Sequence, residues 1–146
     1  MSNTYLSDDD YDFIYSRVPR ICADLLIVNS KGQVLMTKRT IEPYIDHWHL
    51  PGGRIKFKES VKDALNRVAK AEVGIEFNEE VKLVGVCEYP DEIQKEQPRH
   101  SISLVHLFEV DDNIELNAQD KYEWCSEMPE LVIPPIKYFL IKNKFL

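Results

Sequence analysis

The chain has 146 residues, the size of one ordinary domain and long enough to bury a continuous core. Apolar residues make up 44% and charged residues 29%, which excludes a disordered chain. The net charge of −7 leaves no basic surplus to neutralise a nucleic-acid backbone, so a polyanionic ligand would have to be small and met by local cations or a metal ion.

The opening residues SNTYLSDDDYD are acidic and polar, unlike a signal peptide. Ser7 to Val18 is expected to form a short helix, with Ser7 as N-cap and Asp8 to Asp10 in the first turn. RICADLLIVN reads as a strand, Ser30-Lys31-Gly32 as a turn, and QVLMTKR as the returning strand. TIEPYIDH is a loop, and HWHL is a short strand that stops at a tight loop, Pro51-Gly52-Gly53-Arg54. His47 and His49 flank Trp48 and are expected to point the same way, as alternate strand residues do. Beyond a central helix, VKLVGVCEY and SISLVHLFEV are strands, with Pro90 to His100 a polar loop between them. KYEWCS is a further short strand, and PPIKYFLIKNKF is a helix started by Pro134 and Pro135.

Neither a repeat nor a Gly/Ser linker interrupts the chain, so residues 1–146 read as a single domain. Strands with one central and one terminal helix indicate a mixed sheet covered on both faces. No apolar run approaches the roughly 20 residues of a membrane span. Cys22, Cys87 and Cys125 are odd in number and sit in or beside apolar runs, as buried reduced thiols do, which suits a cytoplasmic location.

The central segment ESVKDALNRVAKAEVG has legible ends. Ser60 followed by Asp63 approximates a capping box, and Gly74 suits the left-handed position after a helix. Val61, Leu65 and Val68 form one stripe, and the next member of that stripe is Glu72. A carboxylate on an apolar stripe needs a cation, either an arginine or a metal, unless it bends out to water. The preceding Gly52-Gly53 pair permits close approach of a ligand, and a loop carbonyl with a helix carboxylate can bind a hard ion such as magnesium.

Gly53, Glu59, Arg67, Glu72, Gly74 and Ile75 match the Nudix box G-x5-E-x7-R-E-U-x-E-E-x-G-U at unbroken spacing. The chain thus resembles the Nudix hydrolases, which implies an α/β fold: an α/β/α sandwich around a mixed β-sheet. Gly53, Glu59, Arg67 and Gly74 would then be structural members of the box. Arg67 is expected to pair with Glu59 or Asp63. The box departs from its usual form at Val68 and Ala71, where glutamates normally stand, leaving Glu72 alone.

One branch lacking the same two carboxylates is the GDP-mannose mannosyl hydrolases. The chain resembles it in ADLLIVNSKGQVLMTKRT, HWHLPGGRIKFKESVKDALNRVAKAEVGI, HSISLVHLFEV and YEW. Those enzymes cleave the bond between the anomeric carbon of a sugar and the diphosphate oxygen. The resemblance implies magnesium, with manganese as an alternative, held by Glu72 and the Gly52 carbonyl. It implies Arg39 and Arg54 as catalytic contacts to the diphosphate, Asp24 as a contact to the sugar, and a homodimer. Where that branch carries a general-base histidine, this chain has Gln119, and Ala118 stands where the branch has a metal-contacting glutamine. An amide cannot accept a proton near neutral pH. The base is therefore open among Asp120, Glu123, Glu88, His100 and His106. Two other functions stay open at this point: pyrophosphohydrolysis by attack at phosphorus, and nucleotide-sugar binding without turnover.

Overall fold

The computed structural model describes residues 6–78 and 81–146, so part of the acidic opening segment lies outside the described residues. The first helix, α1, spans Asp8–Tyr15, and Ser7 Oγ accepts a hydrogen bond from the Asp10 amide at 3.1 Å. It ends three residues before the expected Val18. Val18 precedes Pro19, and the proline ring disfavours helical geometry in the residue before it.

The strands β1 (Arg20–Val28) and β2 (Val34–Lys38) follow, joined by a turn in which Asn29 Oδ1 accepts from the Lys31 and Gln33 amides. These two strands meet only where Val28 opposes Val34. Below that point an extended segment lies between them. Its first part, β3 (Trp48–His49), pairs with β2, and its second part, β4 (Gly52–Arg54), pairs with β1. The break falls at Leu50-Pro51, where proline has no amide to give the ladder. The Gly-rich stretch expected as a loop is therefore a short strand, fixed by pairing with β1 rather than by its own weak β-propensity.

Helix α2 spans Val61–Val73. Ser60 Oγ caps the Asp63 amide at 3.0 Å, and Gly74 closes the far end at φ 72°. β5 (Lys82–Gln94) and β6 (Gln97–Glu109) then form a long antiparallel hairpin. Its two-residue turn, Lys95-Glu96, has φ of 50° and 60°, the left-handed pair that suits the twist of such hairpins. The segment Pro90 to His100 is thus strand and tight turn, not a loop. Pro90 is accommodated at a register shift between Tyr89 and Glu92. β6 runs parallel to β1 over its whole length, so the sheet is mixed. The last elements are β7 (Tyr122–Cys125) on β2 and helix α3 (Pro134–Lys142).

Side-chain alternation along β1 sets the layers. Ala23, Leu25 and Ile27 face α2 and pack with Leu65, Ala69, Val73 and Phe108. Leu26 faces the other side, where Met36, Leu50, Val105, Ile136 and Phe139 complete a second core under α3. Each such side chain contributes roughly 1.5–3 kcal/mol on burial, so both helices are fastened to the sheet by apolar contact. The result is an α/β/α sandwich. Among the described residues no helix is long and apolar enough to cross a membrane. Cys87 and Cys125 are buried, while Cys22 is only half-buried because it lines a cavity.

Candidate functional site

The wedge between β1 and β2 is where polar groups gather. Asp24 opposes Gly52 in the β1–β4 ladder. The Leu25 amide donates to the Pro51 carbonyl and the Ile55 amide to the Ile21 carbonyl, so Asp24 and Gly52 form a non-hydrogen-bonded pair. Gly52 consequently turns both its amide and its carbonyl away from β1. The amide donates to Glu72 Oε2 at 3.2 Å. A Cβ at position 52 would overlap the Asp24 carboxylate, so only glycine fits this close approach. Gly53 lies against α2 less tightly, with Val68 Cγ2 at 3.3 Å from where its Cβ would stand.

Both acids are strained as anions. Burial pushes Glu72 up to about 8, and the charges of Asp24 and Asp120 add to the shift against the Gly52 amide and Arg39. Burial likewise pushes Asp24 up to about 7, opposed by Ser103 and Arg39. Glu72, which resists ionisation, beside the outward-facing Gly52 carbonyl is a donor pair that suits a hard divalent ion. Among the described residues no group of three or more His, Cys, Asp or Glu side chains is placed to hold a metal.

Arg39 stands at the end of β2. Its Nε donates to the Pro43 carbonyl and its Nη2 to the Glu42 carbonyl, which holds the guanidinium against its own loop. Arg54 lies 5.7 Å from the ring centres of both Tyr11 and Tyr15, so α1 covers it. Arg67 donates to both carboxylate oxygens of Glu59, at 2.8 and 2.9 Å, and to the Arg54 carbonyl at 2.8 Å. Glu59 in turn accepts from the Lys56 amide, so the β4–α2 connection is tied at both ends.

Two cavities adjoin here. The first, of about 170 Å³, is lined by Arg20, Asp24, Arg39, Arg54, Glu92 and Ser103 among others. The second, of about 290 Å³, is lined by Thr37, Arg39, His49, Glu72, Gln119 and Asp120. Arg39 and His49 line both. The loop carrying Gln119 and Asp120 is held to the end of α2 by the Asn117 amide on the Val73 carbonyl and the Gln119 amide on the Glu72 carbonyl.

The other base candidates lie elsewhere. Glu88 lines a groove between β5 and α3, and His100 a cavity beside α1. His106 is buried and its Nδ1 is 3.1 Å from the Leu104 carbonyl of its own strand. The expected His47–His49 pair does not form, because β3 begins only at Trp48. His47 meets the Ile45 carbonyl in the loop, whereas His49 Nε2 is 3.1 Å from Thr37 Oγ1. Burial, reinforced by Arg39, pushes His49 down to about 3.

Sequence reasoning missed the wall opposite Arg54. Arg20 and Glu92 form a buried pair at 3.1 Å, and Arg20 also meets Ser101 and the Tyr11 hydroxyl. Arg99, 2% exposed, holds Asp12 of α1 at 2.6 Å. The available signal was the charge of Arg20, Glu92 and Arg99, but nothing local shows that a polar stretch folds inward.

A Gly-rich strand is thus set against a helix whose Glu72 bonds to it, with Arg39 and Arg54 lining the adjoining cavities. The chain belongs to the Nudix hydrolase family, whose NUDIX domain model matches residues 18–138. It is 34% identical over 119 residues to the low-salt glycan biosynthesis protein Agl8 of Haloferax volcanii, covering 80% of this chain and 76% of that protein. It is 33% identical over 113 residues to an RNA pyrophosphohydrolase of Ruthia magnifica, covering 68% of this chain and 61% of that one. In fold it is similar to a MutT NUDIX hydrolase from Burkholderia pseudomallei, with a TM-score of 0.71, 23% identity, and 86% and 98% of the two chains covered.

Proposed function

We propose that the chain hydrolyses a nucleoside diphosphate sugar of the GDP-mannose type, with water attacking the anomeric carbon and the nucleoside diphosphate leaving. The observation that carries this is the pair of adjoining cavities sharing Arg39. One offers a single helix carboxylate, and the other is lined by Asp24, Ser103 and Arg54. A diphosphate at the junction would place its sugar in the pocket.

In this reading Glu72 and the Gly52 carbonyl hold one magnesium ion, with manganese able to replace it. Such an ion, when bound, would supply Lewis-acid stabilisation of negative charge on the diphosphate. Arg39 and Arg54 stabilise the same developing charge, and the forked donors of a guanidinium suit phosphate oxygens. Asp24 holds a sugar hydroxyl. Gln119 cannot take a proton, but Asp120 beside it shares the cleft with Glu72. Asp120 accepts the proton of the attacking water as the new carbon–oxygen bond forms. The bond from carbon to the diphosphate oxygen breaks, and its electron pair leaves with the diphosphate. Glu59, Arg67, Gly53 and Gly74 hold the loop–helix unit in place. Similarity to Agl8, named for glycan biosynthesis, supports a sugar-linked substrate. A cytoplasmic homodimer of residues 1–146 as one domain completes the reading.

Attack at phosphorus is the second reading. Asp120 opposite Glu72 favours it, since two acids on one cleft can also position water near a metal. The test is a panel of nucleoside diphosphate sugars with magnesium, assayed for free sugar and for nucleoside monophosphate. Free sugar with nucleoside diphosphate supports the first reading, and nucleoside monophosphate with sugar phosphate overturns it.

A further inference from the structure

Ser103 sits in the middle of β6, 1% exposed, between Cys22 of β1 and Cys87 of β5. Among the described residues its Oγ is a buried side-chain oxygen with no hydrogen-bond partner. Buried hydroxyls are normally satisfied, and an orphan in a native fold marks a place where a ligand or water belongs. Strand alternation puts Ser103 on the same sheet face as Ser101 and, across the β1 register, as Asp24. It lines the first cavity with both. Its hydroxyl lies near enough to the Asp24 carboxyl to oppose that group's upward shift, without closing a hydrogen bond to it.

The neighbouring polar groups are already committed. Ser101 Oγ accepts from Arg20 Nε, and Glu92 accepts from Arg20 Nη2. Ser103 therefore supplies a buried donor on this wall that no well-formed hydrogen bond satisfies, next to an acceptor at Asp24. A donor and an acceptor side by side match an alcohol, which both gives and takes a hydrogen bond. They do not match a methylene.

We propose that Ser103 is a specificity-determining residue, which together with Asp24 reads one hydroxyl of the sugar and rejects sugars deoxygenated at that position. This rests on the proposed function for the presence of a sugar in the pocket, but not on where the water attacks.

The test is calorimetric binding, in a chelator so that no turnover runs, of GDP-mannose, UDP-glucose and ADP-ribose, each against its own GDP, UDP or ADP. For the best-bound of the three, monodeoxy-sugar analogues follow, in the wild-type chain and in Ser103→Ala. In the wild type, the sugar nucleotide should bind more tightly than its diphosphate, and one deoxygenation should cost about tenfold or more. In Ser103→Ala that same deoxygenation should cost severalfold less, because only the Asp24 contact is left to lose, while affinity for the plain diphosphate stays unchanged. Ser103→Thr, which keeps the hydroxyl, should retain the discrimination. A deoxygenation penalty of equal size in Ser103→Ala, or no surplus affinity for any sugar nucleotide in the wild type, overturns the proposal. Products showing attack at phosphorus would defeat the proposed function and leave this binding result standing.

Discussion

Asp24 and Gly52 face each other across the β1–β4 ladder at a separation that only a hydrogen at position 52 permits. A methyl there would sit 2.8 Å from the Asp24 Cγ and still closer to one of its oxygens. Either β4 or Asp24 has to move, and Gly52 also carries the amide bonded to Glu72. Gly52→Ala should therefore fold, yet lose about 100-fold in kcat/KM, the scale expected when a site shifts by about 1 Å. Steady-state kinetics beside a circular dichroism spectrum checks this, and near-normal turnover would contradict it.

Glu72 makes metal-free stability fall with alkaline pH. Its folded pKa is raised to about 8, so the folded chain keeps a proton that the unfolded chain releases. Below the ordinary carboxylate range this group contributes its full stability, and that contribution is lost as pH rises through about 8. Glu72→Gln should melt increasingly above wild type between pH 5 and pH 8.5 in a chelator. Magnesium should raise the wild-type Tm and leave the variant unmoved, and turnover by the variant should be lost. Parallel Tm profiles of the two chains would count against the buried-acid argument.

His49 acts in the other direction. Its folded pKa is lowered to about 3, so the folded chain binds fewer protons than the unfolded one. The stability it contributes is present above about 6.5 and is lost as pH falls toward 3. His49→Gln, neutral throughout, should gain on wild type as pH drops from 7 to 4. Equal acid sensitivity in thermal melts would show that the ring is charged in the fold.

Arg67 joins Glu59 and the Arg54 carbonyl with its forked guanidinium. Lysine cannot make that fork. The side chain is about one-third exposed, so Arg67→Lys should cost only about 1 kcal/mol in urea unfolding. KM should rise more than stability suggests, because the strand bearing Arg54 loosens. An unchanged KM would separate the ion pair from the site.

Arg99 is the anchor of α1 through Asp12. Arg99→Ala leaves Asp12 and a buried gap behind, and should cost about 3 kcal/mol. Chemical denaturation measures it directly, and a loss below about 1 kcal/mol would mean that α1 is held by its other contacts, among them the Tyr11 hydroxyl on Arg20.

The most legible parts of the fold were those with local causes. Ser60, Gly74 and the apolar stripe through Leu65 and Val68 define α2 from sequence alone, because caps and periodicity act over one or two turns. β1 was legible as a strand from its own run of apolar residues, RICADLLIVN, though not which of them face which helix. β4 was hidden because Gly52-Gly53-Arg54 has no strand propensity and owes its geometry to Asp24, Ala23 and Cys22 opposite. The far half of the β5–β6 hairpin was hidden because Glu92 and Arg99 are polar, and their burial depends on Arg20 and Asp12, which lie over 70 positions away. At the site, the motif marked Glu72, Arg39 and Arg54. Ser103, His49 and Arg20 carry no motif, since their surroundings come from strand pairing.

The most direct test of the central claim is the fate of the solvent oxygen. Turnover of a nucleoside diphosphate sugar in oxygen-18 water with magnesium, followed by mass spectrometry of both products, locates the bond that breaks. The account expects one label in the released sugar and none in the nucleoside diphosphate. Label in a phosphate, with unlabelled sugar phosphate or nucleoside monophosphate as its partner, would contradict it.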